Sequence, residues 1–287
     1  MTVQVKKDGK FLLPTCPKIE KKIDLTEVDF HRIVKKFNTL SGITIPDHKR
    51  TLVKTRVAPR LRISGVDTFS EYIDYLNTPT GASEMEHFCN VLTTNLTSFF
   101  REIHHFEHLE RELIAGKSKR VRVWSAGCST GEEAYSIAMI LKRLQLDSDC
   151  PDVRLLATDL DTKVLARANE ALYDASGLNK IPERFRKYLT IEKSSNNFKI
   201  KEDLKELVYF NRLNLASRWP MKGEFDVVFC RNVLIYFSPD LKERIIDRIS
   251  NMLKPGGTLY LGHSETILGG HSKLESLGNT IYKKKYE

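Results

Sequence analysis

A strand, a glycine turn and the start of a helix follow one another without interruption in Val121-Arg122-Val123-Trp124-Ser125-Ala126-Gly127-Cys128-Ser129-Thr130-Gly131-Glu132-Glu133-Ala134-Tyr135. Up to Ala126 apolar residues alternate in a run free of Gly and Pro; beyond the turn, Ile137, Ala138, Leu141 and Leu144 follow helical spacing. The turn therefore lies at the carboxyl end of a strand. In an open parallel α/β sheet that edge is where ligands bind, because small residues let them approach the backbone amides of a helix start.

Spacing narrows the ligand. Gly127 and Gly131 are four positions apart and no Lys follows, so neither the dinucleotide fingerprint G-x-G-x-x-G nor the phosphate loop G-x-x-x-x-G-K-[ST] is present. Glu132 and Glu133 would repel a pyrophosphate. They favour a ligand with positive charge and hydroxyl donors, while the helix dipole stabilises the carboxylates. S-adenosylmethionine, with its amino acid head, sulfonium and ribose, has these features. A second strand, Val153 to Thr158, ends in Asp159, where an acid accepts hydrogen bonds from ribose hydroxyls. The alternative is that these acids only cap helices.

The 287 residues leave room for two domains. A net charge of +9, from 46 Lys and Arg against 37 Asp and Glu, favours an acidic partner: nucleic acid, an anionic membrane or an acidic protein surface. Five cysteines (Cys16, Cys89, Cys128, Cys150 and Cys230) form no C-x-x-C pair, which argues for reduced thiols in a cytoplasmic protein over a disulfide framework or a zinc site. The amino terminus has no apolar signal core, and no apolar run approaches bilayer-spanning length, so no membrane insertion is expected.

Residues 1 to 25 are lysine-rich without helical period and are expected to form a loose arm. Thr26-Glu27-Val28-Asp29 resembles a helix cap, with Phe30, Ile33, Val34 and Phe37 at helical spacing before Gly42. Further helices are expected at 47 to 63, 68 to 77, 83 to 93 and 97 to 115, giving a five-helix domain over 26 to 116. The sheet domain then runs from 117 to 287, with Lys117-Ser118-Lys119-Arg120 as the joint. Its further strands fit Leu207 to Leu213, Phe225 to Cys230 and Thr258 to Gly262; a helix fits Pro239 to Leu253, stopped by Lys254-Pro255-Gly256-Gly257. An insert near 186–206 pairs Tyr188 to Glu192 with Phe198 to Lys201 across Ser194-Ser195-Asn196-Asn197. The edges of such a hairpin can accept an extended peptide, or serve no partner.

Between His48 and Ser64 stand six Lys/Arg and no acid. Lys49, Arg56 and Arg60 share one helical stripe, blurred where Pro59 bends it, and this favours a docking surface for an acidic partner over a plain solvated face. His104, His105 and His108 lack the companion spacing of a metal site and are expected at the surface or the core edge. Cys230-Arg231-Asn232-Val233-Leu234-Ile235-Tyr236-Phe237 places polar groups at another strand's carboxyl end.

Together, Asn95-Leu96-Thr97-Ser98-Phe99-Phe100-Arg101-Glu102, the Trp124 to Tyr135 turn, Ala157-Thr158-Asp159-Leu160-Asp161, Arg231 to Phe237 and Gly262-His263-Ser264-Glu265 resemble, in order, the motifs of the chemotaxis receptor glutamate methyltransferases, the CheR family. The resemblance implies a small all-helical domain followed by a Rossmann-like methyltransferase domain carrying an inserted antiparallel β hairpin. It implies methyl transfer from S-adenosylmethionine, leaving S-adenosylhomocysteine, to glutamate side chains on the cytoplasmic helical domains of chemoreceptors; a monomer is expected. Carried onto this chain, it makes Asn95, Thr97 and Arg101 the lid of the cofactor pocket. Glu133 and Asp159 would hold the methionine and ribose portions, and Asn214, Leu215, Arg231 and Asn232 would line the adenine and sulfonium side. Arg101 and Tyr236 would face the methyl group. Members that tether to a receptor tail tend to have glycine in the hairpin loop; this loop has none, which argues against tethering.

Two rival classes are disfavoured. An amine-directed nucleic-acid methyltransferase would place an Asp/Asn-Pro-Pro-aromatic element where Arg231-Asn232-Val233-Leu234 stands, and no aromatic-interleaved basic stripe supports base stacking. A non-catalytic receptor-binding module would have lost Arg101, Glu133 or Asp159, and all three are present.

Overall fold

The computed structural model describes residues 23–116, 118–147, 150–192 and 195–286. Most of the expected arm, Cys16, Lys117 of the joint and Ser194 of the hairpin turn lie outside the described residues.

Thr26 caps the first helix, α1 (Glu27–Ser41), accepting from the Asp29 amide at 3.1 Å, and Phe30, Ile33 and Phe37 turn inward as their spacing requires. Gly42, at φ +77°, ends it. A short 3-10 turn leads into α2 (Arg50–Ser64), which continues through Pro59. A Thr68–Glu71 capping box opens α3 (Phe69–Tyr75), and α4 (Glu84–Leu92) follows. These four helices enclose their own core, centred on Phe37, Val57, Tyr72 and Phe88.

The helix expected from residue 97 begins instead at Ile103, as α5 (Ile103–Gly116). Phe100 and Glu102 take φ of +49° and +57°, which an α-helix cannot contain. Phe99 packs on Tyr173 and Phe100 on Phe185, and Phe106 and Leu109 of α5 belong to the same core beneath the sheet. The chain therefore divides near residue 93, not at the expected 116–117 boundary. Among the described residues the helical domain has four α-helices, and residues 93–102 bridge it to the sheet.

The sheet domain continues with β1 (Arg120–Ala126), α6 (Glu132–Asp147), β2 (Asp152–Asp159), α7 (Thr162–Glu170), β3 (Leu172–Asp174), β4 (Leu189–Glu192), β5 (Asn197–Ile200), α8 (Glu202–Lys205), β6 (Val208–Arg212), β7 (Phe225–Cys230), α9 (Pro239–Met252), β8 (Leu253–Leu261), β9 (Leu274–Gly278) and β10 (Ile281–Lys284). Seven strands form one sheet in the order β6-β2-β1-β7-β8-β10-β9. The first five are parallel, and β10 runs against both its neighbours. Ala126 pairs with Thr158 and Cys230 with Leu261, so the turns after β1, β2, β7 and β8 open along one edge.

The insert is larger than the expected hairpin. Besides β4 and β5 it contains β3, whose Tyr173 pairs with Phe198, giving a small sheet in the order β3-β5-β4. The closing β9–β10 pair was not expected from the sequence; its strands lie at the sheet's outer edge, where β9 is mostly exposed and carries little apolar alternation. Among the described residues no helix is long and apolar enough to cross a membrane.

Candidate active site

The sheet-edge turns, the 93–102 bridge and the end of α1 surround a cleft. Asn95, Thr97, Arg101, Glu133, Asp159, Asn214, Leu215, Arg231, Asn232 and Tyr236 all line it, and so does Lys49. Arg56 and Arg60 do not.

The glycine turn is shaped by close approach. Gly127 has φ +88°, and a Cβ there would stand 2.3 Å from Val233 Cγ2 of the loop after β7. At the end of β2, Asp159 Oδ2 accepts from the Ser129 amide at 2.8 Å and Oδ1 from the Asp161 amide at 3.0 Å. Burial nonetheless pushes its carboxyl up to about 6, with those amides opposing the rise. Each oxygen retains a further lone pair.

Glu133 is more constrained than a helix-start acid read from sequence. It accepts from Ser125 Oγ at 2.8 Å and pairs with Arg231 Nη1 at 3.0 Å; burial pushes its carboxyl up, against the pull of Arg231. The same guanidinium pairs through Nη2 with Glu102 at 3.1 Å and donates to the Arg101 carbonyl at 2.6 Å. Arg231 thus holds in place the carbonyl of Arg101, the residue between left-handed Phe100 and Glu102, and ties the bridge to α6. Glu102 was not singled out from the sequence. Burial opposes its charge, but Arg231 outweighs that and holds the carboxyl below its usual range. Glu102, His104 and His105 bring potential metal-ligand atoms within 4.8 Å of one another, yet Arg231 already occupies Glu102. His105 is buried and donates Nε2–H to the Asn279 carbonyl at 2.8 Å, and burial lowers its pKa to about 4. His108 bonds the Tyr260 hydroxyl at 2.8 Å, at the core edge as expected.

Arg101 is one-third exposed and donates Nη1–H to the Leu96 carbonyl at 3.1 Å. The Tyr236 hydroxyl is pushed up by burial, with the Arg101 charge opposing the rise. Tyr236 is also strapped to the helical domain: its carbonyl accepts from the Thr44 amide at 2.8 Å, and Ile43 pairs with Phe237. Gly42 lets the end of α1 approach the loop after β6, since a Cβ there would stand 2.6 Å from Ala216 Cβ. Asn214 and Asn95 line the cleft with side chains already committed elsewhere. Asn214 donates to the Leu40 carbonyl at 2.8 Å and accepts from the Ala216 amide at 2.9 Å. Asn95 donates to Asp161 at 2.8 Å, and its carbonyl accepts from Ser129 Oγ at 2.9 Å.

The expected basic stripe is dismantled by packing. Arg60 forms a two-point pair with Glu84, Nε to Oε1 at 2.7 Å and Nη2 to Oε2 at 2.5 Å, with side-chain exposures of only 12% and 7%. Arg56 donates to the Thr93 carbonyl at 2.6 Å, tying α2 to the bridge. Arg60 therefore cannot serve as a docking cation, and Arg56 is largely engaged. Lys49, at the cleft, carries no ion pair among the described residues.

Two family models divide this chain at the bridge: residues 28–93 match "CheR methyltransferase, all-alpha domain", and residues 95–283 match "CheR methyltransferase, SAM binding domain". The chain belongs to the CheR methyltransferase family. It is similar to the probable chemotaxis protein methyltransferase of Rhizobium etli, 39% identical over 253 residues that cover 85% of this chain and 94% of that protein. Chemotaxis protein methyltransferase 2 of Pseudomonas aeruginosa is 37% identical, covering 90% and 93%. The chemotaxis protein methyltransferase of Escherichia coli is 37% identical, covering 91% and 92%. This CheR-family chain is thus an S-adenosylmethionine-dependent chemotaxis protein methyltransferase. Its cleft fits that cofactor: Asp159 has acceptors left for hydroxyl donors, Glu133 and Arg231 offer both signs to an amino acid head, and Leu160, Leu213 and Leu215 offer apolar wall to a flat ring.

Proposed function

We propose that this enzyme esterifies glutamate side chains on the cytoplasmic helical domains of chemoreceptors. The observation that carries this reading is that a partly exposed guanidinium, Arg101, and a half-buried phenol, Tyr236, line the same cleft as Asp159. A glutamate with an ordinary pKa near ~4.3 is ionised at neutral pH, so no general base is needed. When bound, S-adenosylmethionine supplies an electrophilic methyl group. Arg101 has donors beyond its bond to Leu96 with which to orient the incoming carboxylate, and Tyr236 shapes the space beside it. Phe237, Leu215 and Ile43 add apolar wall that keeps water from the reacting pair. Too tight an ion pair would blunt the nucleophile, so Arg101 acts in positioning more than in charge neutralisation. Lys49 at the cleft, with the net +9, favours approach of an acidic receptor surface.

The test is radiolabelled methyl transfer to receptor-bearing membranes, with base-labile label marking an ester. Arg101→Ala should reduce turnover by about 100-fold or more, and Tyr236→Phe by less. Unchanged turnover in both variants, with native circular dichroism, would refute the assigned centre.

A further inference from the structure

Gly262-His263-Ser264-Glu265 follows β8 at the cleft edge, yet none of the four lines the cleft. Glu265 is nevertheless a buried carboxylate, 6% exposed. A buried carboxylate persists only if its charge is met by donors, and here these are backbone amides. Oε2 accepts from Asn232 and Gly262, each at 2.7 Å, and Oε1 accepts from Ile235 at 3.2 Å.

Two of the three amides lie in the loop after β7, which carries Arg231, Asn232 and Tyr236 into the cleft. Asn232 sits at φ +57°, a conformation that needs outside support in a non-glycine residue. Gly262 is fitted to the same arrangement, for a Cβ there would stand 2.8 Å from both the Asn232 amide and Glu265 Oε2.

We infer that Glu265 is a positioning residue: through the Asn232 and Ile235 amides, its carboxylate holds the loop that presents Asn232 and Tyr236 to the cleft. The inference rests on the reading of Tyr236 as a residue beside the transferred methyl. The Glu265 charge also reaches Tyr236, adding to burial in raising its hydroxyl pKa. An amide in place of the carboxylate keeps the volume but turns an N–H toward backbone donors, so Gln cannot restore the clamp.

The experiment compares wild type, Glu265→Gln, Tyr236→Phe and the double variant. Turnover on receptor membranes is measured alongside S-adenosylhomocysteine affinity by calorimetry and carbon-13 tyrosine NMR, in which Tyr236→Phe assigns the Tyr236 signal. Glu265→Gln should fold, move the Tyr236 resonance and lower kcat at least about tenfold. The receptor KM should change less than about threefold, and the double variant should be little worse than Tyr236→Phe alone. If Glu265→Gln does not fold, Gly262→Ala disturbs the same clamp with the carboxylate kept and takes the same measurements. An unmoved Tyr236 resonance, or kcat losses that simply multiply, would overturn the inference. If receptors prove not to be the substrate, the NMR and affinity measurements still decide it.

Discussion

Thr93, at the end of the helical domain, donates its hydroxyl at 2.6 Å to the buried carboxylate of Asp161, at the start of α7 in the sheet domain. The other Asp161 oxygen caps α7 through the Lys163 amide at 2.8 Å, and the Asp161 amide donates to Asp159 at 3.0 Å. Asp161 therefore links the helical domain and the bridge through its side chain, and the acid proposed to hold ribose through its backbone amide. Thr93→Val and Asp161→Asn, combined in a double-mutant cycle on urea unfolding, should show a coupling of about 1.5–3 kcal/mol, the range for a hydrogen bond to a charged group. S-adenosylhomocysteine affinity should fall in both single variants. Additive destabilisation would show that the pair is not a latch.

The raised pKa of Asp159 links stability to pH with a definite sign. Its folded value of about 6 exceeds the ordinary 3.8, so its contribution favours the folded state below pH 4 and is lost as pH rises through 6. Relative to wild type, ligand-free Asp159→Asn should therefore gain roughly 2–3 kcal/mol of unfolding free energy between about pH 4 and pH 7. Over the same range, wild-type affinity for S-adenosylhomocysteine should rise as the carboxylate ionises, and that of the variant should not. Parallel stability profiles would place the Asp159 pKa near its ordinary value.

Arg60 and Lys49 separate folding from docking. Arg60→Ala strands Glu84, which also accepts from the buried Tyr72 hydroxyl at 2.7 Å, and should cost about 3–5 kcal/mol in thermal or urea unfolding. Lys49→Glu should change stability by no more than about 0.5 kcal/mol. At low salt it should raise the apparent KM for receptor membranes, an effect fading as the screening length falls to about 8 Å at 0.15 M. A Lys49→Glu enzyme with unchanged receptor kinetics would remove the docking role.

Periodicity made α1, β1, β2 and the glycine turn legible, because each is specified by residues within one turn or strand of each other. The family motifs made the cleft lining legible in the same way, and all ten expected pocket residues line one cleft. The errors came from interactions distant along the chain. The bridge leaves the helical conformation because Phe99 and Phe100 pack against Tyr173 and Phe185. Arg60 leaves the basic stripe because Glu84 is folded against it.

The sequence by itself determined the α/β class and the strand ends that bear the acids, since these follow from local spacing, and the family resemblance named ten of the residues that line the cleft. Only the tertiary structure decided what those residues are bonded to. Arg231 could be read as pocket lining, but its pairing with Glu133 and Glu102, and its hold on the Arg101 carbonyl, arise when β7, α6 and the bridge meet at one sheet edge. A buried charge must find its partners wherever the fold supplies them, and in this chain they come from segments that linear spacing does not connect.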